Sequence, residues 1–174
     1  MSKRPAVLAL TLGLALGLAA AAAAAVPAPK MSIAEFSQLK TPLPYPYDET
    51  ANADKVVARA MARAKAAHKL LIIDLGGNWC GDCRILAGTV ELPELKAFVD
   101  KHFETVTVDV GRFDKNLQIP AHYGVTKRLE GVPALLVVDP ATDKLVDAGH
   151  IAALSDARHM SPQALADWLA QWAR

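Results

Sequence analysis

A run of apolar residues broken by one acid, Leu70-Leu71-Ile72-Ile73-Asp74-Leu75, ends at Gly76-Gly77-Asn78 and delivers the chain to Trp79-Cys80-Gly81-Asp82-Cys83-Arg84. This juxtaposition constrains the fold most. A short continuous apolar stretch cut off by glycine has the length of a strand buried on both faces. Two thiols at i and i+3 suit the first turn of a helix, where they can close a small disulfide ring. The helix N-terminus points N–H groups at the first sulfur and favours its thiolate. Cys80 is therefore the expected nucleophile, and Cys83 the thiol that resolves a mixed disulfide. The chain holds only these two cysteines, too few for a scaffold of several bridges. A closed zinc site would need histidines as well, and His68, His102, His122, His150 and His159 are scattered. Arg84 stands where a haem-attachment signature needs histidine.

The rest of the chain alternates helix and strand. Residues 51–68 place Val56, Val57, Ala60, Met61 and Ala64 on one helical stripe. Residues 80–90 and 93–103 read as two further helices, with Pro93 suited to the first turn of the second. Residues 104–110 alternate as a strand. A short helix follows, ending near Gly124. Residues 132–139 form another apolar strand, with residues 144–148 as its hairpin partner. Ser161 and Pro162 open a last helix carrying Leu165, Trp168, Leu169 and Trp172. Strands separated by helices imply a parallel component, and the hairpin adds an antiparallel edge. The expected fold class is α/β, a central mixed sheet flanked by helices.

Two stretches precede that domain. Residues 1–25 read as a cleavable secretory signal peptide: Lys3 and Arg4, an uncharged Ala/Leu/Gly run, then Ala23 and Ala25 before Val26. A retained membrane anchor is the competing reading. Residues 26–50 are Pro-rich, with a short helical candidate at 33–39, and read as an extended arm. Cleavage near Ala25/Val26 would remove both leader charges and turn the net charge from +1 to −1. That balance excludes a dedicated nucleic-acid binder, which needs clustered Lys and Arg. Secretion also sets the redox context, because disulfides persist in the periplasm and outside the cell. There the cysteine pair is either a structural bridge or a redox couple.

The segment LIIDLGGNWCGDCR resembles the active-site region of the thioredoxin superfamily. Asp74 lies six residues before Cys80, where thioredoxins carry a buried acid, and Trp79 directly precedes the first cysteine. Glu130-Gly131-Val132-Pro133-Ala134 resembles the family's cis-proline loop. The likeness covers residues 51–174, a thioredoxin-like domain, and leaves the leader and the arm outside. It implies that Asp74, its pKa raised by burial, relays a proton for Cys83. The alternative for Asp74 is a carboxylate capping the glycine turn. Pro133 in a cis bond would leave the Val132 backbone free to pair with an extended substrate. The alternative there is a trans proline at an edge strand. Trp79 is read as a wall beside the disulfide or as a core residue.

Gly81 and Asp82 occupy the tuning positions between the cysteines. Thioredoxin has proline where this chain has Asp82, and a carboxylate there would oppose the Cys80 thiolate, biasing the pair toward reduction. Thioredoxins often place a lysine near the buried acid, whereas the comparable position here reads as Thr105. The stretch 85–94 is longer than in thioredoxin and more like periplasmic reductase domains downstream of membrane electron carriers. The expectation is a periplasmic thiol–disulfide oxidoreductase that reduces secreted proteins. It would use no cofactor or metal and draw electrons from a membrane-bound thiol donor. An oxidase or isomerase with the same site is the alternative, as is a non-enzymatic copper- or protein-binding module. Copper would want a His or Met against the cysteines, and His159-Met160 is the one adjacent pair.

Overall fold

A computed structural model describes residues 25–174; residues 1–24 of the expected leader lie outside that range. The elements are α1 (Ala53–Ala67), β1 (Leu70–Gly76), α2 (Gly81–Val90), α3 (Pro93–His102), β2 (Phe103–Asp109), α4 (Gln118–His122), β3 (Ala134–Asp139), β4 (Lys144–Leu145) and α5 (Pro162–Ala170). The sheet order is β2-β1-β3-β4. β1 runs parallel to β2 and antiparallel to β3, and β3 runs antiparallel to β4. The mixed α/β sheet expected from the sequence is thus present. No helix among the described residues is long and apolar enough to cross a membrane.

Every residue of β1 is buried, so side-chain parity decides what each one touches. Leu71, Ile73 and Leu75 join Val57, Ala60 and Ala64 of α1 in one core layer. Leu70 and Ile72 join Leu86 of α2, Leu95 and Val99 of α3, and Leu165 and Leu169 of α5 in the other. Asp74 shares the parity of Leu70 and Ile72. Local chemistry fixes the helix starts. Asn52 caps α1 by accepting the Lys55 N–H, and Ser161 caps α5 through Ala164. Pro93 and Pro162 sit in the first turn of their helices.

The hairpin is shorter than residues 144–148. Val146 N–H still bonds the Val137 carbonyl, but Asp147 then turns inward and its Oδ1 accepts the Val137 N–H at 3.0 Å. A side-chain carboxylate replaces the next strand rung and ends the ladder. Past it, the chain winds through a 3₁₀ turn, Ala157–His159, that lies against α2.

The Pro-rich arm is strapped to the domain. Met31, Leu39 and Tyr47 are buried. Proline lacks N–H, so the arm is rich in unpaired carbonyls, and side chains of the domain supply the donors. Gln163 donates to Pro29 O, Arg84 to the Leu43 and Pro44 carbonyls, and Thr107 to Pro46 O at 2.8 Å. The helical candidate at 33–39 is a single 3₁₀ turn, Phe36–Gln38.

Candidate active site

Cys80 is the N-cap of α2, extended where the following residues turn helical. Its Sγ accepts the Cys83 N–H at 3.1 Å, and the two cysteines form a disulfide with Cα atoms 5.3 Å apart. Cys80 is 5% exposed and Cys83 fully buried, so substrate can approach only the first sulfur. The Val132–Pro133 bond is cis, and the Val132 carbonyl oxygen lies 3.3 Å from Cys80 Sγ. Val132 and Pro133 stand just before β3, beside the disulfide.

Asp74 ends up against a residue that the sequence did not associate with it. The buried Tyr47 hydroxyl donates to Asp74 Oδ1 at 2.9 Å. Burial pushes the Asp74 carboxyl up to about 7, and the Tyr47 hydrogen bond pulls the other way. Burial and the nearby charges of Asp74 and Asp109 also push the Tyr47 hydroxyl far above its ordinary value. Asp74 Oδ1 is bonded to this hydroxyl rather than to the amides of the glycine turn. The strand register also corrects the position opposite the acid: Asp74 pairs with Thr107, while Thr105 pairs with Ile72. Both threonines, with Asp74, Pro46, Leu86 and Glu91, line a cavity of about 210 Å³. Gly76 is required here because a Cβ would strike the Tyr47 hydroxyl and come within 2.8 Å of Cys83 Sγ.

The carboxylate between the cysteines is not free to act on the sulfur alone. Asp82 accepts from Arg158 Nε at 3.0 Å, from Nη2 at 2.6 Å and from the Arg158 N–H at 2.8 Å. Burial raises the Asp82 pKa, but Arg158 outweighs it and holds the carboxyl below its ordinary value. The anion persists with a guanidinium on it, so its opposition to the Cys80 thiolate is weaker than the sequence alone implies. Gly81 imposes no backbone demand, since a Cβ there would meet only Arg158 Nη2, at 3.4 Å.

Trp79 is a surface residue rather than a core one, 42% exposed. Its Nε1 donates to Gly111 O at 2.7 Å. The Arg112 guanidinium lies 4.3 Å over its ring, and Phe113 packs edge-on at 6.1 Å. Four contributors escaped the sequence reading: Tyr47, Asn78, Arg112 and Arg158. Only two left a trace, an aromatic among the prolines of PYPYD and an Asp82 in need of a counter-charge. His159 bonds Asp156 at 2.7 Å. Among the described residues no three His, Cys, Asp or Glu side chains gather to hold a metal ion.

A family model described as thioredoxin-like matches residues 52–140. The chain belongs to the thioredoxin-like family. This thioredoxin-like protein is 39% identical to the disulphide isomerase from Xylella fastidiosa Temecula1, whose crystal structure it matches with a TM-score of 0.67. That match covers 74% of this chain and 96% of the isomerase chain. A thioredoxin from Alicyclobacillus acidocaldarius is 28% identical over 75 residues. Those residues are 43% of this chain and span 63% of that thioredoxin's length. Together the family, the two relatives and the Cys80–Cys83 disulfide support thiol–disulfide oxidoreductase activity.

Proposed function

We propose that this protein is a periplasmic thiol–disulfide oxidoreductase that reduces disulfides of secreted proteins by dithiol–disulfide exchange. The observation carrying the reading is the Cys80–Cys83 disulfide at the N-terminus of α2, with the Val132 carbonyl 3.3 Å from Cys80 Sγ. Cys80 thiolate attacks a substrate sulfur, forming a mixed disulfide and releasing the first substrate thiolate. Cys83 then attacks Cys80 Sγ, closing the ring and releasing the second substrate thiolate. Two electrons pass from the enzyme dithiol to the substrate, so no soluble cofactor takes part. A membrane-bound thiol donor would restore the dithiol. Val132 and Pro133 would present backbone to an extended substrate, and Trp79 would wall its path.

The reducing direction is supported by how little stabilises the Cys80 thiolate. Its sulfur receives one N–H from Cys83, faces the Val132 carbonyl, and has the Asp82–Arg158 ion pair in the same helical turn rather than a free cation. A thiolate held weakly makes the reduced form less favoured and the pair a poorer oxidant. Equilibration with glutathione buffers tests this. A potential toward the thioredoxin end, about −270 mV, is expected, and one near about −120 mV contradicts the reducing role. Isomerisation with the same residues is the second reading, favoured by the likeness to a disulphide isomerase. Catalysis of insulin reduction by dithiothreitol, abolished in Cys80→Ser, separates either reading from a merely structural bridge.

A further inference from the structure

We propose that Tyr47, supplied by the N-terminal arm, carries the proton between Cys83 and Asp74, so that the arm completes the active site. This rests on the exchange reading above. The Tyr47 hydroxyl donates to Asp74 Oδ1 at 2.9 Å, and it shares with Cys83 Sγ the space that a Gly76 side chain would fill. The hydroxyl bonded to the acid and the resolving sulfur therefore border the same point beside Gly76. A phenol has one proton to give and lone pairs to receive, which is what a relay between a thiol and a carboxylate needs.

The hydroxyl is held in place from behind. Asn78, two residues before Cys80, clamps the Tyr47 backbone in both directions: Tyr47 N–H donates to Asn78 Oδ1 at 3.1 Å, and Asn78 Nδ2 donates to Tyr47 O at 2.8 Å. Thr107 of β2 fixes the preceding carbonyl, Pro46 O. The charged neighbours are occupied elsewhere: Asp109 with Lys115 at 3.2 Å, Asp82 with Arg158, and Arg84 with the Leu43 and Pro44 carbonyls. The cavity that Asp74 lines, with Thr105, Thr107 and Glu91, gives the carboxyl an outlet away from the sulfurs.

In the mixed disulfide, the Cys83 S–H proton passes to the Tyr47 oxygen while the Tyr47 proton passes to the Asp74 carboxylate. Cys83 Sγ bonds to Cys80 Sγ, the Cys80–substrate bond breaks, and the departing thiolate takes a proton from water. Asp74 returns its proton to solvent. A discrete tyrosinate is disfavoured by burial and by Asp74, so the two transfers are coupled.

Tyr47→Phe keeps the ring and removes the hydroxyl. Rapid mixing of the reduced variant with a small disulfide separates formation of the mixed disulfide from its resolution. Formation is expected at the parent rate, while resolution slows by at least ~10-fold. The inflection in the resolution rate should also move to higher pH, because Asp74 loses the hydrogen bond that lowers its pKa. Asp74→Asn should remove that inflection, and adding Tyr47→Phe to it should cost nothing further. Parent-like resolution with an unmoved inflection, or equal slowing of both steps, overturns the relay. On the unaltered protein, the resolution rate should curve with deuterium fraction, since two protons move together; a linear dependence also overturns it. If the parent resolves its mixed disulfide normally and Tyr47→Phe matches it, the relay alone fails; if the parent forms no mixed disulfide, the exchange reading fails with it.

Discussion

Arg158 and Asp82, 76 residues apart in sequence, meet in a two-point ion pair at the first turn of α2, with Nη2 and Oδ2 2.6 Å apart. The carboxylate is nearly buried and the guanidinium half exposed. Removing the arginine leaves an anion in the same turn as Cys80 with its main partner gone. Arg158→Met should therefore raise the Cys80 thiol pKa and slow its alkylation by iodoacetamide at pH 7. Asp82→Asn in that background should restore the rate. An unchanged pH–rate curve in Arg158→Met would mean that Asp82 has no hold on the sulfur.

Asp74 makes the stability of the fold depend on pH. Its carboxyl is pushed from 3.8 up to about 7 in the folded protein. Between those values the folded state binds a proton that the unfolded state has released. Stability should consequently fall as pH rises from about 4 to about 7 and level off above. Asp147, buried and raised to about 6, adds a component of the same sign up to its own value. Asp74→Asn should leave stability near pH 4 almost unchanged and raise it at pH 8 by more than ~1 kcal/mol. Urea titrations across that range test it, and a loss of stability at pH 8 would contradict it.

Asn78 clamps the arm and does not touch the sulfurs. Asn78→Ala deletes both hydrogen bonds to the Tyr47 backbone and should cost about 1–3 kcal/mol of stability. Because Tyr47 then moves freely against Asp74, resolution of the mixed disulfide should slow more than its formation. Denaturant melts paired with rapid-mixing kinetics check both effects.

Trp79 is exposed, so its removal should act on substrate more than on folding. Trp79→Ala loses the Nε1 bond to Gly111 O and the Arg112 stack. A stability loss of about 1 kcal/mol is expected. The KM for a protein disulfide should rise while the rate with a small-molecule disulfide stays near that of the parent. Equal losses on both substrates would remove Trp79 from the docking surface.

Much of this fold can be read from short-range pattern. The run at residues 70–75, the glycine break and the cap at Ser161 are local signals, and β1 and α5 begin where those signals put them. In contrast, α1 begins at Ala53, two residues later than expected, behind its cap Asn52. The end of β4 is not local, because it depends on Asp147 folding back onto Val137 across the hairpin. Neither is the choice of Thr107 over Thr105 opposite Asp74, which a two-residue shift in parallel register decides. Tyr47 and Arg158 lie 27 and 76 residues from their acids, and nothing in their own neighbourhoods announces the pairing. Asp74 reads as a buried acid from its strand, but its partner comes from a Pro-rich segment without the periodicity that pattern reading needs.

The proposed exchange needs Cys80 as attacker and Cys83 as resolver. Replacing Cys83 by serine removes the resolver and leaves the attacker. Incubated with a periplasmic extract and separated without reductant, Cys83→Ser should accumulate mixed disulfides through Cys80. Thiol should release them, and Cys80→Ser/Cys83→Ser should form none. A Cys83→Ser protein that stays folded and captures nothing would rule out exchange through this pair.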